Sequence, residues 1–194
     1  VSTLLRNSLQ FVSNEALNVG YVVAQPLQMA RWLAQNAPQD ARVAVHDVGM
    51  MRYVGGRTTI DMVGLTTPGA AAYWRNGPGA VGEFLDHQRP DLIASYGREH
   101  GVGLVYLEET DLYAETLATY TVALDPLNNV ALAGQTQGIY RPNWATADRS
   151  PTVRVLNAVT PYLDGKEPVD FIDVADIASE DEHGYHWRSS TVSA

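Results

Sequence analysis

Apolar positions recur at helical spacing from Pro26 to Gln35. Leu27, Ala30, Leu33 and Ala34 share one side, proline suits the first turn, and Asn36 and Pro38 stop the run. The stretch before it, Asn14 to Val23, reads as a second helix with Ser13 as its cap. The pattern then switches to short apolar runs. Arg42–His46, Thr58–Val63, Asp91–Ser95 and Val102–Leu107 read as buried strands. Helices are expected between them at Asp47–Tyr53, with Asp47 as cap, and at Gly69–Trp74 and Val81–Gln88. Gly55-Gly56 turns the chain, and Tyr96–His100 fits a turn or short helix. Beyond Tyr120 the rhythm changes again. Tyr120–Leu124 and Gly138–Arg141 read as antiparallel edge strands, and Val153–Val159 and Val169–Val174 as later strands. The expected fold is therefore α/β: a mostly parallel, Rossmann-like three-layer sheet with antiparallel edge strands and a β-rich C-terminal addition.

Charge divides the chain in the same place. The 194 residues carry a net charge of −9. Residues 150–194 hold 8 acidic and 3 basic side chains, or −5, which leaves −4 for residues 1–149. With Arg141-Pro142-Asn143-Trp144 and Ser150-Pro151 at the break, two units are expected: an α/β domain over 1–149 and a β-rich segment over 150–194, the start of a second module. The acidic balance argues against nucleic acid as a partner. The absence of cysteine removes disulfides, thiol catalysis and Cys-ligated zinc. No apolar run reaches the length of a membrane span, and the chain, which begins at Val1, reads as part of something longer.

Candidate chemistry follows from the strand ends, because ligands of open parallel sheets bind beyond the carboxyl ends. That rule selects His46 and Asp47 after the first strand and Asp61 at the end of the second. Arg52 and Arg57 lie close in sequence and would add charge for a phosphate or carboxylate. The plain alternative is that Asp47 caps a helix, Asp61 satisfies a turn and the arginines solvate a surface. Glu108-Glu109 also follows a strand, but neighbours in extended chain face opposite sides and make a poor dyad. No dinucleotide fingerprint, P-loop or nucleophile elbow is present, so no cofactor is expected. His183 and His186 have the spacing of a metal pair, but Gly184 between them favours an acidic turn, and no metal is expected. Tyr73, Trp74, Tyr140, Trp144, Tyr185 and Trp187 could stack on sugar rings, although packing is the commoner use of such side chains.

One stretch carries a resemblance. It runs through Gln28-Met29-Ala30-Arg31-Trp32-Leu33, Ala41-Arg42-Val43-Ala44-Val45-His46-Asp47-Val48-Gly49, Tyr53-Val54-Gly55-Gly56-Arg57 and Ile60-Asp61-Met62-Val63-Gly64-Leu65-Thr66-Thr67-Pro68. This resembles the extracytoplasmic region that follows the last membrane spans of bacterial polytopic glycosyltransferases, the lipid-linked-sugar family with mannosyl- and arabinosyltransferase relatives. Val48, Met50 and Met51 stand where small residues or isoleucine are usual, and His46 where asparagine or tyrosine is common. The tail from Asp173 to Tyr185 is similar to the opening of a β-sandwich module seen after such regions. The resemblance implies a location outside the cytoplasmic membrane, a membrane-embedded transferase core of the same parent chain as partner, and glycan or lipid-linked sugar as ligand. That family's chemistry lies in loops between membrane helices, so it implies no catalytic residue here. Two readings follow: a non-catalytic accessory domain of a membrane glycosyltransferase, or an independent α/β enzyme or small-molecule binder using His46, Asp47, Arg52, Arg57 and Asp61.

Overall fold

The computed structural model describes residues 2–96, 112–147, 160–170, 172 and 177–185. The chain opens with two helices, α1 (Ser2–Ala24) and α2 (Pro26–Asn36). Next come β1 (Arg42–Val45), α3 (Val48–Tyr53), β2 (Thr58–Asp61), α4 (Ala70–Asn76), α5 (Pro78–Gln88) and β3 (Leu92–Tyr96). A hairpin-like pair follows, β4 (Tyr113–Thr121) and β5 (Thr136–Pro142), and then the short α6 (Trp144–Ala147). A 3-10 turn at Thr160–Tyr162 and α7 (Ile177–Glu182) complete the described elements.

The five strands form one open sheet in the order β2-β1-β3-β5-β4. β1 runs parallel to both β2 and β3, whereas β5 runs antiparallel to β3 and to β4. The sheet is thus evenly mixed rather than mostly parallel, and β5 lies inside it rather than at an edge. Strand alternation sorts the buried side chains onto two faces. Val43, Val45, Leu92, Ala94 and Ile139 pack against Met29, Ala30 and Leu33 of α2 and Met51 of α3. Ala44, Ile60, Ile93 and Tyr140 pack against Ala70 of α4 and Val81, Phe84 and Leu85 of α5. Both faces are covered by helices, which is why β1 and β3 read as unbroken apolar runs.

Local signals explain most boundaries. Pro26 occupies the first turn of α2, and Pro78 that of α5. Gly77 ends α4 and begins α5 at φ 100°, a conformation open to glycine alone. Asp91 fixes the start of β3: its carboxylate accepts the Arg42 N–H at 2.8 Å while its own N–H donates to the Arg42 carbonyl.

The structure departs from the sequence pattern in several places. α1 begins at Ser2, so Ser13 sits inside the helix and caps nothing. β4 lies at Tyr113–Thr121, ahead of the expected Tyr120–Leu124. Residues 169, 170 and 172 are not strand, and the acidic run around Glu180 is the helix α7, with Glu180 itself buried. The expected strands Val102–Leu107 and Val153–Val159, with Glu108-Glu109, His186 and Trp187, lie outside the described residues.

Candidate functional site

β1 and β3 are adjacent and parallel, yet the chain leaves β1 for β2 on one side and returns to β3 on the other. The crevice beyond the carboxyl ends of such a strand pair is where open α/β sheets hold ligands. His46 and Asp47 follow β1 directly, and Tyr96 ends β3. The His46 N–H donates to the Ala94 carbonyl, which seats the residue against β3. Its ring stands edge-on to Tyr96 at 4.8 Å and to Trp74 at 5.4 Å.

Asp47 stands at the start of α3, but its side chain makes no cap bond. It turns inward instead. Oδ2 accepts the Tyr96 hydroxyl at 2.8 Å and the Gln137 amide at 2.6 Å, and Oδ1 lies 2.9 Å from His46 Nδ1. Burial pushes the carboxyl up, but the bond and charge of His46, with the bonds from Tyr96 and Gln137, outweigh it and hold Asp47 below the ordinary carboxylate range. Tyr96 moves the other way: burial, then the charge of Asp47 and the bond to it, push the phenol well above its usual value. Tyr96 is therefore a fixed donor at neutral pH. Its oxygen also accepts the Ala133 N–H at 3.0 Å.

The polar chain continues inward. Gln137 donates to Gln25 Oε1 at 2.9 Å, and Gln25 donates to the carbonyls of Gln135 and Tyr120. Gln25 and Gln137 are fully buried. Since an ionised carboxylate only accepts, the bond to Asp47 puts the proton of a neutral His46 on Nδ1 and leaves Nε2 as an acceptor.

His46 and Asp47 are the polar members of the lining of an open cavity of about 350 Å³. Val48, Gly49 and Met50 of the α3 turn make one wall, and Val63 and Leu65 another. Val22, Pro26 and Ala131 complete the lining of this open depression. An apolar cavity with a few convergent polar groups is the usual form of a small-ligand site.

The other candidates have different places. Asp61 is fully buried and holds the loop after β2. Its carboxylate accepts the N–H groups of Val63, Gly64 and Thr66 and the Thr66 hydroxyl. It thereby shapes the wall that Val63 and Leu65 provide, without lining the cavity itself. Gly64, at φ 89°, lies so close to Ala71 of α4 that a side chain has no room. Arg57 precedes β2, at the opposite end of the sheet from His46. Its guanidinium donates to the carbonyls of Ala34, Ala37 and Gly55, satisfying the C-terminal end of α2. Arg52 reaches Thr59 Oγ1 at 3.3 Å. The five residues chosen from sequence therefore split: His46 and Asp47 meet in the cavity, Asp61 supports its wall, and neither arginine lines it. Sequence reasoning missed Tyr96, Gln137 and Gln25. The signal for the last two was a glutamine at the turn between helices and another inside a buried strand.

The aromatic side chains are mostly spent on packing. Tyr73 packs on Phe84, Tyr113 stacks on Tyr140 at 4.7 Å, and Trp144 carries the Arg89 guanidinium over its ring. Trp74 approaches the cavity through its contact with His46, as Tyr96 does. His183 is engaged by the Ser179 carbonyl and by Asp170, and no cluster of three or more metal-ligating side chains occurs among the described residues. A second cavity of about 570 Å³ lies at the amino ends of β1 and β3, beside Trp32, Asp40, Asp91 and Arg141. There Asp91 is committed to Arg42, and Arg141 to Glu115.

Residues 15–160 match a family described as a domain of unknown function (DUF8728). The chain belongs to that family. The DUF8728 match takes in every residue of the cavity and its polar chain and runs past the boundary expected at 149/150. No curated protein and no solved structure matches the chain. Among the described residues no helix is long and apolar enough to cross a membrane.

Proposed function

We propose that this DUF8728 chain is a non-catalytic ligand-binding domain of a membrane-bound glycosyltransferase, placed on its extracytoplasmic side, and that its ligand is a glycan or lipid-linked sugar. The observation that carries the reading is a coincidence of two independent features. Asp47, Gly49, Val63 and Leu65 belong both to the stretch that carries the resemblance and to the lining of the cavity. The cavity chemistry suits an amphiphile: apolar walls for an alkyl or isoprenoid segment, with Asp47 and His46 Nε2 as acceptors for hydroxyls. On this reading β2-β1-β3 with its helices is a Rossmann-like half, and the partner is the membrane-embedded core of the same parent chain.

A second reading is favoured by one contact. The Asp47 carboxylate fixes His46 Nδ1, an arrangement that also orients a general base in an independent enzyme. Titration of the labelled chain with octyl glucoside, below its micelle concentration, separates the readings. Binding without turnover should shift the amides of Gly49, Val63 and Ala131, and free glucose should shift them less. Release of octanol would favour the enzyme. Unchanged amides at all three positions would refute the glycan-binding reading.

A further inference from the structure

The first half of α1 exposes apolar residues on more than one side: Leu4 and Phe11 lie in line with Asn18, and a longer row lies opposite them. Leu5, Leu9, Val12, Ala16, Val19 and Val23 follow one another in alternating steps of four and three residues, the heptad spacing of a helix–helix seam. All six are exposed, the five larger ones by 45–63%. Over the second half of α1 the side opposite this row holds the body. Asn18 donates to the Asn128 carbonyl and accepts the Val130 N–H, and Tyr21 Oη accepts the Asp125 N–H. The seam therefore cannot fold back onto its own sheet, and its regular period along the helix asks for another helix.

We propose that a second copy of this chain covers the seam, with the two α1 helices packed antiparallel about a two-fold axis. Three observations favour that occupant. The seam is self-complementary when reversed: Leu5 meets Val23 of the second copy, Leu9 meets Val19, and Val12 meets Ala16. Large side chains then face smaller ones along the whole contact, whereas a parallel pair would set alanine against alanine at position 16. The area reaches the minimum: five side chains at roughly 100 Å² each, fully covered, give about 1,000 Å² over both copies, the least a dimer interface needs. The charge is wrong for a lipid surface. α1 has Arg6 as its one basic residue and the chain is at −9, while helices that lie on membranes carry a Lys/Arg-rich polar face. This inference stands apart from the ligand-binding reading, because the seam lies outside the polar chain at Asp47.

The absence of native cysteine makes the test direct. Sedimentation of the 194-residue chain over about 1–100 μM should show a concentration-dependent dimer. Leu9→Glu, at an exposed position, should leave the circular dichroism unchanged and weaken the dimer at least about a hundredfold in Kd. Mixing Leu5→Cys with Val23→Cys should give a cross-linked heterodimer on oxidation, while Leu5→Cys alone should not cross-link to itself. A monomer throughout, self-linking of Leu5→Cys, or a monomer that co-sediments with phosphatidylglycerol vesicles would each overturn the proposal.

Discussion

Asp47→Ala strands two donors in the interior of the sheet. The Tyr96 hydroxyl and the Gln137 amide both point at Oδ2, and neither residue has meaningful contact with water. A buried donor left without an acceptor costs about 1–3 kcal/mol, so the pair should cost about 2–6 kcal/mol in Asp47→Ala. Asp47→Asn is the informative partner variant. Its carbonyl oxygen can take the place of Oδ2 and keep both donors, now as neutral bonds of about half the strength, for a loss of about 1–2 kcal/mol. Its amide then faces His46 Nδ1, which must accept, and the ring proton moves to Nε2. Urea unfolding followed by circular dichroism at pH 7 should rank wild type, Asp47→Asn and Asp47→Ala in that order. The pH dependence has a definite sign. The folded pKa of Asp47 is depressed, so its stabilisation is fully present above the ordinary carboxyl value of about 3.9 and is lost as pH falls through the lowered folded value. The gap between wild type and Asp47→Asn should narrow on acidification. Equal stabilities for the alanine and asparagine variants would refute the argument, because they differ only in whether the two donors keep an acceptor.

Two further substitutions test the scaffold of the cavity. Gly64→Ala forces a left-handed backbone on an L-residue and drives its Cβ into the Ala71 backbone, so a loss of about 3 kcal/mol or more is expected by thermal or urea unfolding, with shifted Val63 and Leu65 amides. Arg57→Ala removes the donors that end α2 and should cost about 2 kcal/mol; Arg57→Lys should recover little of it, because one ammonium cannot reach three carbonyls at once, and unfolding midpoints of the pair decide the matter.

The parts of this fold that could be read from sequence are those governed by neighbouring residues. α2 announced itself through Pro26 and its apolar stripe, and β1 and β3 through short Val- and Ile-bearing runs. The first half of α1 was hidden for a physical reason: Leu4, Leu5, Leu9, Phe11 and Val12 all face solvent, on more than one side of the helix, so they form no single core stripe. Within the site, Asp47 was found by its place after β1, but its role was misread. A helix-start aspartate is usually a cap, and only the arrival of Gln137, ninety residues later, turns the carboxylate inward. Arg52 and Arg57 illustrate the converse error. Both are close to Asp47 in sequence, but α3 carries the chain from one end of the sheet back to the other, so sequence proximity put Arg57 with the wrong strand end. Asp61 was recognised as a turn-satisfying residue among the alternatives, and its bonds to Val63, Gly64 and Thr66 are of that kind.

The sulfur of this protein is distributed unevenly. There is no thiol, and Met29, Met51 and Met62 are sealed in the two cores, which leaves Met50 as the one thioether beside the cavity. An oxidant such as hydrogen peroxide therefore meets a chain with a single accessible soft atom. Its product would be a sulfoxide, a chiral dipole set into an otherwise hydrocarbon wall. The protein is in this sense almost inert to redox conditions, and what sensitivity it has is concentrated where a ligand would touch it.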